Sequence, residues 1–161
     1  MAFDLAQLII AEHHVIEELM QALETDREDR FQLAHRLIDA LAAHTAAEQQ
    51  ILYPALRDIV PGGTDMANQA QTEHQAMRAT LVTLETSYPG ETAFEDARRE
   101  LAAELRTHVP VEENEHLPAL RQVIGEDKML ELGRIYTEVR EHTPSGLQAM
   151  PPAERSPKFQ A

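Results

Sequence analysis

The stretch His44-Thr45-Ala46-Ala47-Glu48, closed by Tyr53-Pro54-Ala55-Leu56-Arg57, returns 64 residues later as His108-Val109-Pro110-Val111-Glu112, closed by Leu117-Pro118-Ala119-Leu120-Arg121. Six residues coincide at that one offset: the His, the Glu, and the Pro, Ala, Leu and Arg that follow them. The four-residue step from His to Glu places both on one helix face, about 6 Å apart along the axis. Upstream, Glu12-His13 and Glu73-His74 recur at an offset of 61. The chain therefore reads as two copies of a helix pair, the first helix carrying a His and the second a His-x3-Glu. Such a duplication predicts a pseudo-twofold axis through the middle of the fold.

Helical periodicity covers most of the chain and no alternating strand pattern competes with it. A first helix is predicted from Asp4 to Leu23, with Asp4 and Gln7 as a capping pair and Leu5, Ile9, Ile16, Leu19 and Leu23 on one face. A second, near 35 residues long, is expected to open at the capping box Thr25-Asp26-Arg27-Glu28, to carry Ala34, Leu37, Leu41, Ile51, Ala55 and Ile59, and to stop at Pro61-Gly62-Gly63. The third runs from about Thr64 through Met66, Ala70, Met77, Leu81 and Leu84 to Ser87-Tyr88-Pro89-Gly90. The fourth starts at a capping box from Thr92 to Glu95, carries Leu101, Leu105, Ala119 and Val123, and closes on Gly125. Connections this short set consecutive helices antiparallel, so the fold class is all-α, an up-down-up-down four-helix bundle. A shorter amphipathic helix, Met129 to Val139, is expected on the outside. Residues 1–142 form the domain, and residues 143–161, with four of the nine prolines, read as an extended tail.

Composition narrows the function. The chain has 161 residues, one domain's length, with 14 Lys and Arg against 28 Asp and Glu. Its formal charge of −14 repels phosphate backbones and anionic headgroups, so neither nucleic acid nor membrane is an expected partner. There is no Cys, which removes disulfides, thiolate metal sites and Cys nucleophiles together. The N-terminus lacks a signal-peptide pattern and no apolar run approaches a membrane span, so a cytoplasmic protein is expected; separately, the chain is expected to be a monomer. Against that background stand eight His in a chain without Trp.

Placed on their helices, the histidines divide. His13 continues the stripe of Ile9, Ile16 and Met20; His44 and Glu48 continue Leu37 and Leu41; His74 lies among Ala70, Met77 and Leu81; His108 and Glu112 follow Leu101 and Leu105. His14, His35 and His142 fall off these stripes and are expected in solvent. A single inward His is most simply a hydrogen-bonded core residue. Four His and two Glu converging from four helices cannot satisfy one another cheaply, because an uncompensated buried carboxylate costs several kcal/mol. A bound cation removes that penalty. Six donors exceed what one tetrahedral zinc uses, and two ions fit better. If both Glu bridge, each ion receives four protein donors, and an oxo or hydroxo bridge leaves about one open position on each. Mixed imidazole and carboxylate donors with vacancies suit iron that meets dioxygen or its reduced products, and manganese suits the same set.

The pattern H, HxxxE, H, HxxxE, carried by "EHH", "HTAAEQQILYPAL", "TEH" and "HVPVEENEHLPAL", resembles the hemerythrin-like HHE cation-binding domain over residues 1–142. The resemblance implies two iron ions held by His13, His44, Glu48, His74, His108 and Glu112, with both Glu bridging. Oxygen-carrying hemerythrins have a fifth His four residues after the helix-three His, where this chain has Arg78, and a closing Asp five residues after its His, where Glu112 comes at four. Two open, adjacent positions then suit hydrogen peroxide disproportionation, a catalase-like reaction. The alternatives are binding or sensing of O2, NO or iron without turnover, and iron-sulfur or nitrosative damage repair, whose relatives usually carry a Cys-containing region. Tyr53, replaced by Leu117 in the second copy, and His116, where the first copy has Leu52, are candidate proton relays. On an ideal helix Tyr53 points about 140° away from Glu48, although Pro54 can distort that turn. Pro110 removes a hydrogen bond to the Arg106 carbonyl and is expected to bend the fourth helix.

Overall fold

The computed structural model describes residues 2–25 and 29–150, and among them every regular element is helical. The elements are α1 (Leu5–Leu23), α2 (Arg30–Gln50), α3 (Leu52–Ile59), α4 (Gly63–Glu85), α5 (Thr92–Val111), a π-helical turn (Glu112–His116), α6 (Leu117–His142) and a 3-10 turn (Leu147–Ala149). Four of these pieces of chain make the bundle: α1; α2 with α3; α4; and α5 with the π turn and the start of α6. The expected all-α bundle is what the chain forms.

Local chemistry sets the helix starts. Asp4 and Gln7 form a reciprocal capping box, the Asp4 carboxylate accepting from the Gln7 amide at 2.9 Å and the Gln7 side chain accepting from the Asp4 amide at 3.0 Å. The second helix starts later than its sequence signal suggested. Asp29 is its cap, accepting from the amides of Phe31 and Gln32, and Asp26, Arg27 and Glu28 of the expected box lie outside the described residues. The box expected from Thr92 to Glu95 does not form: Glu91 holds the cap position, and Arg30 grips the Glu95 carboxylate at 2.7 and 3.0 Å while Arg98 adds a third contact. A bidentate guanidinium pair outcompetes a helix cap for the same carboxylate.

The two copies of the repeat both break after their Glu, and proline explains why. Pro54 and Pro118 lack the N–H that would reach the carbonyl four residues back. In the first copy the long helix is interrupted at Ile51 (φ −118°, ψ −58°), so the single helix of near 35 residues is two helices, α2 and α3. In the second copy the same strain widens into the π turn, where the Leu117 amide bonds the Glu112 carbonyl. The chain runs helically through Pro110, and the deviation comes just after it, at Glu112. Gly125, at φ 78° and ψ 173°, ends the fourth bundle segment where expected, and α6 resumes beyond it.

Burial forms two separate apolar clusters. One holds Ile16, Leu19, Leu37, Leu41, Leu81, Leu84, Phe94 and Leu101; the other holds Leu5, Ile9, Leu52, Leu56, Ala70, Leu117, Leu120 and Met129. Two stripe residues face outward: Ile59 is 45% and Val123 49% exposed, both on the far side of their Pro-disturbed turns. The segment from Met129 to Val139 belongs to a longer helix that does more than cover the outside. It packs on α1 through Met129, Gly133 and Tyr136. At Gly133 any Cβ would stand 2.3 Å from the Phe3 carbonyl oxygen, so only glycine permits this approach. The tail expected to be extended from 143 folds back as far as 150, with Leu147 and Met150 buried in the first cluster. Residues 151–161 lie outside the described part.

Candidate metal centre

Between the two apolar clusters lies a polar layer. All six residues of the repeated motif meet there: His13 from α1, His44 and Glu48 from α2, His74 from α4, His108 from α5 and Glu112 from the π turn, each at most 4% exposed. Their donor atoms form two groups sharing Glu48. His13, His44, Glu48 and Glu112 are one; Glu48, His74 and His108 are the other; within each, the atoms lie no more than 4.8 Å apart. Nε2 of His44 is 3.0 Å from Glu48 Oε1, Nε2 of His74 is 3.4 Å from Glu48 Oε2, and the Nε2 atoms of His74 and His108 are 3.1 Å apart. Glu112 Oε2 lies 3.3 Å from His13 Nε2 and 3.6 Å from His108 Nε2.

These groups are close without being satisfied. Nε2 of His13 and His44 and all four oxygens of Glu48 and Glu112 are buried with no hydrogen-bond partner. That is a costly arrangement for a protein without a ligand, and it fits cations: imidazole nitrogens and carboxylates point inward as a mixed donor set. Electrostatics show the same tension. Burial and the Glu112 charge push the Glu48 carboxyl up, whereas Glu112, despite its burial, is held well below the usual carboxylate range by His13 and His108. Burial opposes a charged His44, but Glu48 and Glu12 raise it to about 10. His74 is driven well below the ordinary value by burial and by neighbouring His108.

The outward nitrogens are anchored by carboxylates that sequence reasoning did not single out. His44 Nδ1 donates to Glu12 at 2.8 Å, His108 Nδ1 to Glu73 at 2.7 Å, and His13 Nδ1 to Glu113 at 2.8 Å. Such partners fix the tautomer and orientation of a metal-binding imidazole. Glu12 is itself held by the Tyr136 hydroxyl and by Arg140 Nε, both at 2.6 Å. His44, Tyr136 and Arg140 outweigh its burial and bring Glu12 down to about 2. The signal for Glu12 and Glu73 was present: they recur beside His13 and His74 at the same offset of 61. Nothing in the bundle periodicity pointed to Tyr136 or Arg140, which arrive on the helix after Gly125.

The two candidate relays differ in placement. Tyr53 is fully buried, its hydroxyl 2.9 Å from His74 Nε2 and 3.3 Å from Nδ1. The interruption at Ile51 turns it inward, against the 140° offset of an ideal helix. Burial, with Glu112 and Glu48 nearby, raises its pKa well above the usual value. His116 is buried on the π turn with Nδ1 unpartnered, its pKa lowered mainly by burial, and it joins neither cluster. Arg78 is half-buried one turn after His74, and its Nε lacks a partner. His14 and His142 are exposed as expected, whereas His35 is half-buried with its edge against Phe31.

An antiparallel helical bundle crossed by a buried His and Glu layer with two adjoining clusters defines a cation-binding protein of the di-metal type. The model of the hemerythrin HHE cation-binding domain matches residues 4–120, and the chain belongs to that family. It is 23% identical over 145 residues to an uncharacterised hemerythrin-like protein of Schizosaccharomyces pombe, covering 89% of this chain and 70% of the relative. Its fold matches a crystal structure of a hemerythrin HHE cation-binding domain-containing protein from Mycobacterium kansasii with a TM-score of 0.74 and 25% identity, over 86% of each chain. Tyr136 and Arg140 lie beyond the residues the family model matches. Among the described residues no helix is long and apolar enough to cross a membrane.

Proposed function

We propose that His13, His44, Glu48, His74, His108 and Glu112 hold two iron ions and that the protein disproportionates hydrogen peroxide. The observation that carries this reading is the Tyr53 hydroxyl, buried and protonated 2.9 Å from the inward nitrogen of His74. Two irons supply the two-electron change when bound. One peroxide accepts two electrons and two protons and is cleaved to two waters; a second gives up the same number of each and leaves as O2. Tyr53 lends a proton to the departing oxygen and recovers one from the second peroxide. Glu48 and Glu112 keep the two positions together, and the apolar residues on either side exclude bulk water. With Arg78 where carriers have a fifth His, the six donors leave coordination positions for a small ligand. In this reading the chain works as a cytoplasmic monomer.

A second reading rests on a different feature. A cavity of about 10 Å³ lies against all four His and is otherwise lined by Ile16, Leu41, Thr45, Met77, Leu105 and Val109. Its largely apolar wall suits an uncharged diatomic, O2 or NO, captured without turnover. A groove of about 430 Å³ between α1 and α5 shares His13, Ile16, Leu105 and Val109 with it and offers a way in. Peroxide added to the iron-loaded protein separates the readings. Catalytic O2 evolution, lost in Glu112→Ala, supports the first. A reversible spectral change on exposure of reduced protein to O2 or NO, with no turnover of peroxide, replaces it with the second.

A further inference from the structure

The pseudo-twofold pairs His13 with His74, His44 with His108, and Glu113 with Gln49. Two of the bonds to outward nitrogens obey it: His44 to Glu12 and His108 to Glu73. The third does not. His13 Nδ1 is bonded to Glu113 at 2.8 Å, but the mate of Glu113 in the first copy is Gln49, and no bond joins it to His74. Among the described residues the polar neighbours of His74 are the Tyr53 hydroxyl, within reach of both ring nitrogens, and the inward-facing His108 and Glu48. No carboxylate therefore stands behind the outward nitrogen of His74, where only the Tyr53 hydroxyl is in reach.

From this we infer that the two metal positions are unequal: the one between His13 and His44 fills first and more tightly, the one between His74 and His108 second, with Glu113 as the positioning residue. The inference rests on the di-metal reading above. In the first position both imidazoles have a carboxylate at their backs, which orients the ring, directs the Nε2 lone pair inward and strengthens the donor. In the second only His108 does. Loss of one such partner lowers metal affinity roughly 10- to 100-fold, which sets the expected gap between the two steps.

The test is anaerobic titration of the metal-stripped full chain with cobalt(II), followed by calorimetry and by the visible spectrum. Wild-type protein should take up two ions in steps separated about 10- to 100-fold in affinity. Glu113→Gln should weaken the first step toward the second. Gln49→Glu should strengthen the second step, a gain that a damaged fold cannot mimic. Two equal steps in the wild type, or steps that stay where they were in both variants, would overturn the inference. Fewer than two ions per chain would instead remove the di-metal reading beneath it.

Discussion

Replacing Glu48 by Leu should make the metal-stripped protein more stable and the metal-loaded protein less so. Glu48 is fully buried and neither of its oxygens has a hydrogen-bond partner. An unsatisfied buried polar group costs about 1–3 kcal/mol, and Leu removes it while filling most of the same volume. His44 loses one of the two carboxylates that favour its charged form, which offsets part of this gain, but keeps its bond to Glu12. At about 2–4 °C per kcal/mol for a chain of this size, the metal-stripped variant should melt up to about 12 °C above metal-stripped wild type. Metal reverses the order. An ion present at a hundred times its dissociation constant adds about 2.7 kcal/mol, so two ions raise wild type by about 5 kcal/mol. Glu48 belongs to both donor clusters, so Glu48→Leu should lose most of that increment. Thermal unfolding followed by circular dichroism, with and without anaerobic ferrous iron, reads both effects. A variant that melts below wild type without metal, or that gains as much from iron as wild type does, would refute the argument that this carboxylate is kept for a cation at the expense of the fold.

Four further outcomes are expected. Without metal, the Glu12 carboxyl, held at about 2 against an ordinary 4.5, contributes stability that is complete above 4.5 and lost as pH falls toward 2; His44, raised from 6.5 to about 10, contributes stability that is complete below 6.5 and lost as pH rises toward 10. Denaturant titrations across pH should show both limbs, and metal addition near pH 7 should release at least one proton, measurable in weakly buffered solution, because His44 must be neutral to bind. Gly133→Ala places a methyl 2.3 Å from the Phe3 carbonyl oxygen, so α6 or the Phe3–Asp4 backbone must shift, the grip of Tyr136 and Arg140 on Glu12 should loosen, and urea unfolding should report a loss of about 1–3 kcal/mol with weaker metal binding. Tyr53→Phe should leave metal content unchanged and slow oxygen evolution from peroxide about 10²- to 10⁴-fold, as loss of a positioned proton donor does; an unchanged rate would remove Tyr53 from the reaction.

The bundle was legible because its helices are long, their apolar stripes regular and their stops rich in Pro and Gly. The six inward donors were legible because they interrupt those stripes at repeated offsets. What escaped were features that depend on departures from regular geometry or on chain distant in sequence. Periodicity aimed Tyr53 away from Glu48, and only the break at Ile51 turns it in. Val123 and Ile59 sat on predicted stripes, but Pro118 and Pro54 shift the register before the chain reaches them. The box from Thr92 to Glu95 had a good local signal, overridden by Arg30 from another helix. The anchoring of Glu12 by Tyr136 and Arg140 joins residues more than 120 apart along the chain, and Gly133, which allows it, looks from sequence like a weakness in a helix.

The division of the core by the polar layer bears on how the molecule comes apart. The half around Leu37, Leu84 and Phe94 and the half around Leu5, Leu56 and Leu120 share four helical rods but no continuous side-chain packing, since His13, His44, Glu48, His74, His108 and Glu112 occupy the cross-section between them. Ions in that layer would tie all four rods at mid-height and couple the halves into one cooperative unit. Without them each end can loosen on its own. Cooperativity of unfolding in this chain would then depend on bound metal, and its removal would show first as a loss of mechanical unity, ahead of any loss of helix.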